Sequence, residues 1–156
     1  MIEQYAKDGY RVLVLANCSG QISNDNLPST NRNPVAVIVL EDRIREDAIE
    51  TIKWFKENDV KIKIISGDNP LTVAEIAKRV GVDNTENFIN LEGLSESQVI
   101  SAANKYTVFG RVTPEQKALL IKTIRADGNT VAMTGDGVND ILALKEADCS
   151  IAMASG

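Results

Sequence analysis

The chain has 156 residues, 44% hydrophobic, 25% charged and only 4% aromatic, with a formal net charge of −5 and no histidine. That is the length of one domain, or of one domain with part of another, and enough to bury a substantial core. The acidic balance argues against nucleic acid or an anionic membrane as the main partner. The absence of histidine, with Cys18 and Cys149 lacking metal-ligand spacing, argues against zinc sites and histidine-based catalysis. Both cysteines sit in apolar contexts and are expected to be buried free thiols, as in a reducing cytosol. No stretch has the pattern of a signal peptide. Apolar runs such as residues 35–40 fall far short of the roughly 20 residues of a membrane span, so this piece is expected to be soluble.

In chain order, residues 10–18 read as a strand after the Asp8-Gly9 turn signal. Residues 19–34 are rich in Ser, Asn, Gly and Pro, which predicts a loop or linker with a domain boundary near residue 33. A second apolar strand covers 35–40. Glu41-Asp42-Arg43-Ile44-Arg45 then leads into a helix whose apolar positions Ala48, Ile49, Ile52 and Phe55 follow helical spacing, ending at Asn58 and Asp59. Alternation at Val60, Ile62 and Ile64 predicts a strand over 60–65. Ser66-Gly67-Asp68-Asn69-Pro70 closes it, with Asn69 as helix cap and Pro70 in the first helical position. That helix runs to about Val80 and stops at Gly81. A short strand over 86–91 precedes a capping box at Ser95 and Gln98, which opens a helix to about Lys105. Tyr106 begins a further short strand reaching Phe109. Thr113-Pro114-Glu115-Gln116 is a second capping box, opening a helix that runs to Gly128. Lys117 stands near its start, an unfavourable end of the helix dipole for a cation unless an anion is its target.

Residues 130–147, TVAMTGDGVNDILALKEA, are the most informative stretch. An uncharged run over 130–133 predicts a strand buried on both faces. Thr134-Gly135-Asp136-Gly137 follows, with two glycines that let backbone approach a ligand, and Asn139 or Asp140 can cap the helix implied by Ile141, Leu142, Leu144 and Ala147. Turns of this kind at the carboxyl ends of parallel strands are where open α/β sheets bind ligands, and helix-terminal N–H groups favour anions there. Asp136, Asn139 and Asp140 supply hard oxygen ligands suited to Mg²⁺. A plain polar turn, with Asp and Asn serving only as caps, remains the alternative on this stretch alone. Residues 150–153 form a last short strand. Strands alternating with helices imply βαβ units and a parallel sheet.

SGD after one strand, a TPEQK helix start and TGDGVND after the next major strand, in that order, resemble the phosphorylation domain of P-type cation-transporting ATPases, within the haloacid dehalogenase-like superfamily. DGYRVLVLA is similar to the last segment of that family's nucleotide-binding domain. EDRIRED is similar to its hinge, and FGRVTPEQK and ALKEADCSIAMASG follow its pattern. The resemblance implies an α/β, three-layer Rossmann-like haloacid dehalogenase-type fold with a mostly parallel sheet. Residues 1–33 would be the tail of the nucleotide-binding domain with its linker, and 34–156 a partial phosphorylation domain.

Carried over by motif, Ser66 and Gly67 would contact phosphoryl oxygens, with Asp68 orienting groups at the nucleotide-facing rim. Lys117 would neutralise the phosphoryl group, and Asn139 would hydrogen-bond one of its oxygens. Asp136 would coordinate Mg²⁺, with Asp140 supporting both the metal and Lys117. Asp42, Arg45 and Arg111 match positions near the hinge and the incoming nucleotide. Such groups suit phosphoryl transfer, which needs charge neutralisation and positioning more than acid-base chemistry. The parent would hydrolyse ATP with Mg²⁺ to move a cation, in contact with its remaining domains at the cytoplasmic face of a membrane.

Three departures matter. Ser66 stands where the family usually has Thr, Arg43 and Ile44 stand where the hinge usually has prolines, and the nucleophile's Asp-Lys-Thr-Gly-Thr segment is absent. The chain is therefore expected to be a fragment without the sheet's central first strand and inactive alone. A naturally truncated phosphate- or partner-binding module is the alternative, and a free-standing phosphatase ranks below both. The missing strand leaves a slot between the strands ending at SGD and at TGDGVND. The N-terminal strand or a second copy of the chain is expected to fill or cover it.

Overall fold

The structure, a computed structural model, describes residues 4–5, 8–18, 32–41 and 43–153. The linker expected over 19–34 lies mostly outside them, as does Asp42. β1 (Arg11–Cys18) pairs antiparallel with β2 (Arg32–Leu40), from Arg11 opposite Leu40 to Cys18 opposite Arg32. The boundary expected near residue 33 falls inside β2. After α1 (Ala48–Glu57) come β3 (Ile64–Ile65), α2 (Pro70–Arg79), β4 (Phe88–Asn90), α3 (Glu96–Ala102) and β5 (Val108–Gly110). Then follow α4 (Pro114–Ala126), β6 (Ala132–Gly135), a 3₁₀ turn (Val138–Asp140), α5 (Ile141–Glu146) and β7 (Cys149–Ala152).

β5 lies between β3 and β4, parallel to both, and β6 pairs parallel with β7. Adjacent residues of β5 point to opposite faces, and each face has its own core. Val108 packs with Ala74, Ala77 and Val82, joined by Ile52 and Ile64, under α1 and α2. Phe109 packs with Leu91, Val99, Leu120, Ile124, Met133 and Ala143, joined by Ile65, under α3, α4 and α5. The result is the expected helix–sheet–helix arrangement. Phe109, Leu91, Leu120, Val99 and Val108 are the largest fully buried side chains.

The helix starts follow their sequence signals. The Asn69 side chain accepts from Leu71 N–H at 2.9 Å ahead of Pro70. Gln98 accepts the Ser95 N–H at 2.9 Å, and Thr113 and Gln116 exchange side-chain and backbone bonds at the head of α4. Gly81 and Gly128 follow the α2 and α4 ends with φ of 88° and 87°, in the left-handed region.

Several expectations are corrected. The strand predicted over 60–65 shortens to Ile64–Ile65, because Val60 to Lys63 have no ladder partner in β5, which itself begins at Val108. α3 ends at Ala102 rather than Lys105. β6 begins two residues late, and only Met133 and Gly135 are buried in it; Ala132 and Thr134 are exposed, since β6 pairs on one side only among the described residues. Cys149 is exposed and Cys18 half-buried, so neither is a core thiol: β7, with β6 on one side, is exposed along its length. β3 and β6 end separate sheets and are not bonded to each other. β1 does not enter between them. Among the described residues its ladder is with β2 alone, because two apolar strands satisfy each other's backbone over eight paired positions.

Candidate phosphoryl and metal site

Two strand ends build the candidate site. At the first, β3 gives way to Ser66, Gly67 and Asp68, and this turn is bonded to the end of β5. Ser66 N–H donates to Phe109 C=O at 2.9 Å, Val112 N–H donates to Ser66 C=O at 3.1 Å, and Arg111 N–H donates to Asp68 C=O at 2.9 Å. The Ser66 hydroxyl accepts Asp68 N–H at 3.1 Å, closing the turn on itself. Arg111 reaches this position with φ of 54°, a left-handed conformation uncommon outside glycine. It is exposed, as is Gly67, while Ser66 and Asp68 are half-buried.

The second strand end carries the charged groups. Lys117, in the first turn of α4, donates from Nζ to Asp140 Oδ1 at 2.6 Å. The two side chains are only 12% and 8% exposed, so Lys117 is not one of the chain's solvated surface lysines. The other carboxylate oxygen, Oδ2, accepts Asp136 N–H at 3.3 Å across the Gly-Asp-Gly turn. Burial works against charge on Asp140, but the Lys117 hydrogen bond and charge, with the backbone N–H groups of Asp136 and Gly137, hold its carboxyl below the usual aspartate value of 3.8. Asp140 does not cap α5 with its side chain. Its carboxylate is spent holding Lys117 and the turn.

A Cβ at Gly135 would lie 2.5 Å from Asp140 Cβ and 3.0 Å from its Cγ and Oδ2, so this glycine makes room for Asp140. Gly137 faces open space. Asp136 and Asn139 are exposed, and no hydrogen bond or ion pair engages the Asp136 carboxylate among the described residues.

The strand ends are joined through the chain itself. Val112, bonded to Ser66, precedes the cap Thr113, whose C=O accepts Lys117 N–H at 2.9 Å. Ser66, Gly67, Asp68 and Arg111 thus form one group, and Lys117, Asp136 and Asp140 the other, with β5 and the head of α4 setting their separation. Arg45 belongs to neither: its Nε and Nη2 bind the Asp47 carboxylate at 3.1 and 3.0 Å.

Arg11 was invisible as a site residue in the sequence, since 57 positions separate it from Asp68. In the fold its Nη2 meets Asp68 Oδ2 at 2.5 Å, and Arg79 donates to the Asp8 C=O nearby, fastening the base of the hairpin to the Ser66–Asp68 turn and the end of α2.

Among the described residues, no group of three or more His, Cys, Asp or Glu side chains is placed to share a metal ion. Mg²⁺ does not require one. It keeps several waters and takes one or two carboxylates together with substrate phosphate, which a single free, exposed carboxylate at Asp136 fits. Two hollows among the described residues, one of about 350 Å³ beside Ile49 and Gly81 and one of about 360 Å³ beside Leu94 and Leu119, touch neither Ser66, Lys117 nor Asp136. An anion site made from turns and helix starts needs no deep cavity.

The family model for haloacid dehalogenase-like hydrolases matches residues 9–148. The chain belongs to that family. Its relatives sharpen the picture. It is 45% identical over 150 residues to "Probable cation-transporting ATPase exp7" of Streptococcus pneumoniae, covering 95% of this chain and 19% of the relative. It is 41% identical over 155 residues to "Calcium-transporting ATPase CtpE" of Mycobacterium bovis, covering 99% and 19%. It is 32% identical over 160 aligned positions to "Magnesium-transporting ATPase, P-type 1" of Salmonella typhimurium, covering 98% and 18%. The chain thus spans about one-fifth of the length of these relatives. No described helix is long and apolar enough to cross a membrane.

Proposed function

We propose that this chain supplies the Mg²⁺- and phosphoryl-binding groups of an ATP-driven, cation-transporting pump of the P type, acting on a nucleophile carried elsewhere in the pump. The observation that carries this reading is the buried Lys117–Asp140 pair beside the free Asp136 carboxylate, where β6 ends, in a chain resembling cation-transporting ATPases along almost its full length.

In this reading Asp140 fixes the Lys117 ammonium at the head of α4, where its charge meets phosphoryl oxygens. Ser66 and Gly67 meet the same oxygens from the other strand end, and Asn139 donates to one of them. Asp136 would hold Mg²⁺, supported by Asp140, and the bound ion would supply charge neutralisation for the phosphoryl group. Asp68 and Arg111 lie at the nucleotide-facing rim, with Asp42 and Arg45 at the hinge, and residues 1–33 continue into the nucleotide-binding domain. The remaining domains of the pump are the partners of residues 34–156, at the cytoplasmic face of its membrane.

The 156 residues contain no Asp-Lys-Thr-Gly-Thr. Incubated alone with labelled ATP and Mg²⁺, the chain is expected to form no acid-stable, hydroxylamine-labile phosphoprotein. A stable acyl phosphate on this chain would contradict the assignment of its residues to binding rather than attack.

A further inference from the structure

Gly110 ends β5 and is buried against Pro70, the first residue of α2. A Cβ at position 110 would lie 2.5 Å from Pro70 Cα, Cβ and Cδ. Carbon atoms in contact sit about 3.5–4.0 Å apart. The φ of Gly110 is not in the left-handed region, so backbone conformation does not demand glycine here; space does. The atoms in the way are backbone and a closed ring, which cannot swing aside as a flexible side chain would.

Position 110 is also the centre of the stitching described above. Phe109, Arg111 and Val112 hold Ser66 and Asp68 by three backbone bonds, and Gly110 abuts the proline that follows the turn. On the other side, Thr113 and Lys117 follow within seven positions. We infer that the Cβ-free contact between Gly110 and Pro70 is a positioning pair, setting the spacing between the Ser66-Gly67 turn and the Lys117 ammonium so that both reach one phosphoryl group. The inference rests on reading those residues as anion-binding groups. A side chain at 110 pushes Pro70, and with it Asn69 and the turn, away from the head of α4.

The test compares wild type, Gly110→Ala and, as a core variant away from the site, Val99→Ala, which empties space around a fully buried position. Two quantities are read under conditions where all three are folded: amide resonances of Ser66, Gly67, Asp68 and Arg111, and the affinity for inorganic phosphate in the presence of Mg²⁺. In Gly110→Ala the turn resonances shift and phosphate affinity falls on the order of tenfold or more; Val99→Ala changes neither. If Gly110→Ala does not fold, Pro70→Ala opens the contact from the other side while keeping a good first helical residue. It is expected to speed amide exchange at Arg111 and Val112 and to weaken phosphate binding. Unmoved turn resonances, or unchanged phosphate affinity, in the variant read overturns the inference. A wild-type chain that binds no phosphate overturns the reading of the site instead, and the turn resonances still decide whether Gly110 sets the geometry.

Discussion

Removing one member of the Lys117–Asp140 pair is the most informative perturbation of stability. At 2.6 Å the two charges attract by about 6 kcal/mol for an effective dielectric constant near 20, against a desolvation penalty of several kcal/mol for each ion. The net worth of the intact pair is therefore small, but the cost of leaving one charge buried alone is not. Lys117→Met strands Asp140, and Asp140→Leu strands Lys117; each is expected to cost about 3–5 kcal/mol. The double variant removes both charges and leaves the Asp136 N–H and the exposed Gly137 N–H without that carboxylate, a loss of about 1–3 kcal/mol. Urea unfolding at neutral pH of the four chains closes the cycle. The double variant is expected to be more stable than the sum of the singles by at least about 2 kcal/mol. If the singles each cost less than about 1 kcal/mol and add, the pair is solvated like an ordinary surface bridge, and the argument from its burial is wrong.

Three further outcomes follow from the same geometry. Gly135→Ala forces a Cβ into Asp140 and is expected to cost about 1–3 kcal/mol in urea unfolding, whereas Gly137→Ala, which meets nothing within 4 Å, stays within about 0.5 kcal/mol; equal effects would contradict the close approach. The Asp140 carboxyl is held below its usual value, so it contributes stability that is fully present above about pH 3.8 and lost as pH falls through its lower folded value; in acid unfolding, Asp140→Asn should lose that part of the pH dependence, and an unchanged acid limb would count against the pairing. β2 exposes Val35, Val37, Ile38, Val39 and Leu40 without a charge between them, a pattern that recruits other strands, so light scattering should show association rising with concentration and reduced by Val37→Lys; a monomer at every concentration would refute this.

Local chemistry was legible in the sequence wherever a signal and its effect lay within a few residues. The Asn69-Pro70 and Thr113-Pro114 helix starts, the Gly81 and Gly128 stops, and the strand–turn–helix order around Ser66 and Asp136 needed no long-range information. What the sequence could not reveal depended on the partner each element finds. Residues 130–133 read as a strand buried on both faces because composition reports apolarity and not neighbours, and among the described residues β6 has only β7 beside it. Cys149 looked buried for the same reason. The residues 60–65 alternate as a strand should, yet only the last two find the β5 ladder. In the candidate site, the resemblance named Lys117, Asp136 and Asp140 and already set Asp140 beside Lys117; the fold adds the 2.6 Å contact, the Asp136 N–H on the second carboxylate oxygen, and an Asp136 carboxylate that no described group engages. Arg11 and Gly110 carried no signal, since an arginine that opens a strand and a glycine that ends one are common, and only the fold brings them against Asp68 and Pro70.

The claim that Asp136 and Lys117 together hold a metal and a phosphoryl group is tested most directly by titrating the labelled chain with Mg²⁺ and then inorganic phosphate, following backbone amides. Saturable Mg²⁺-dependent shifts over residues 135–140, a further phosphate-induced shift at Lys117 and Ser66 only when Mg²⁺ is present, and loss of both in Asp136→Asn are the predicted result. Identical titrations of wild type and Asp136→Asn, or phosphate shifts that ignore Mg²⁺, would contradict it.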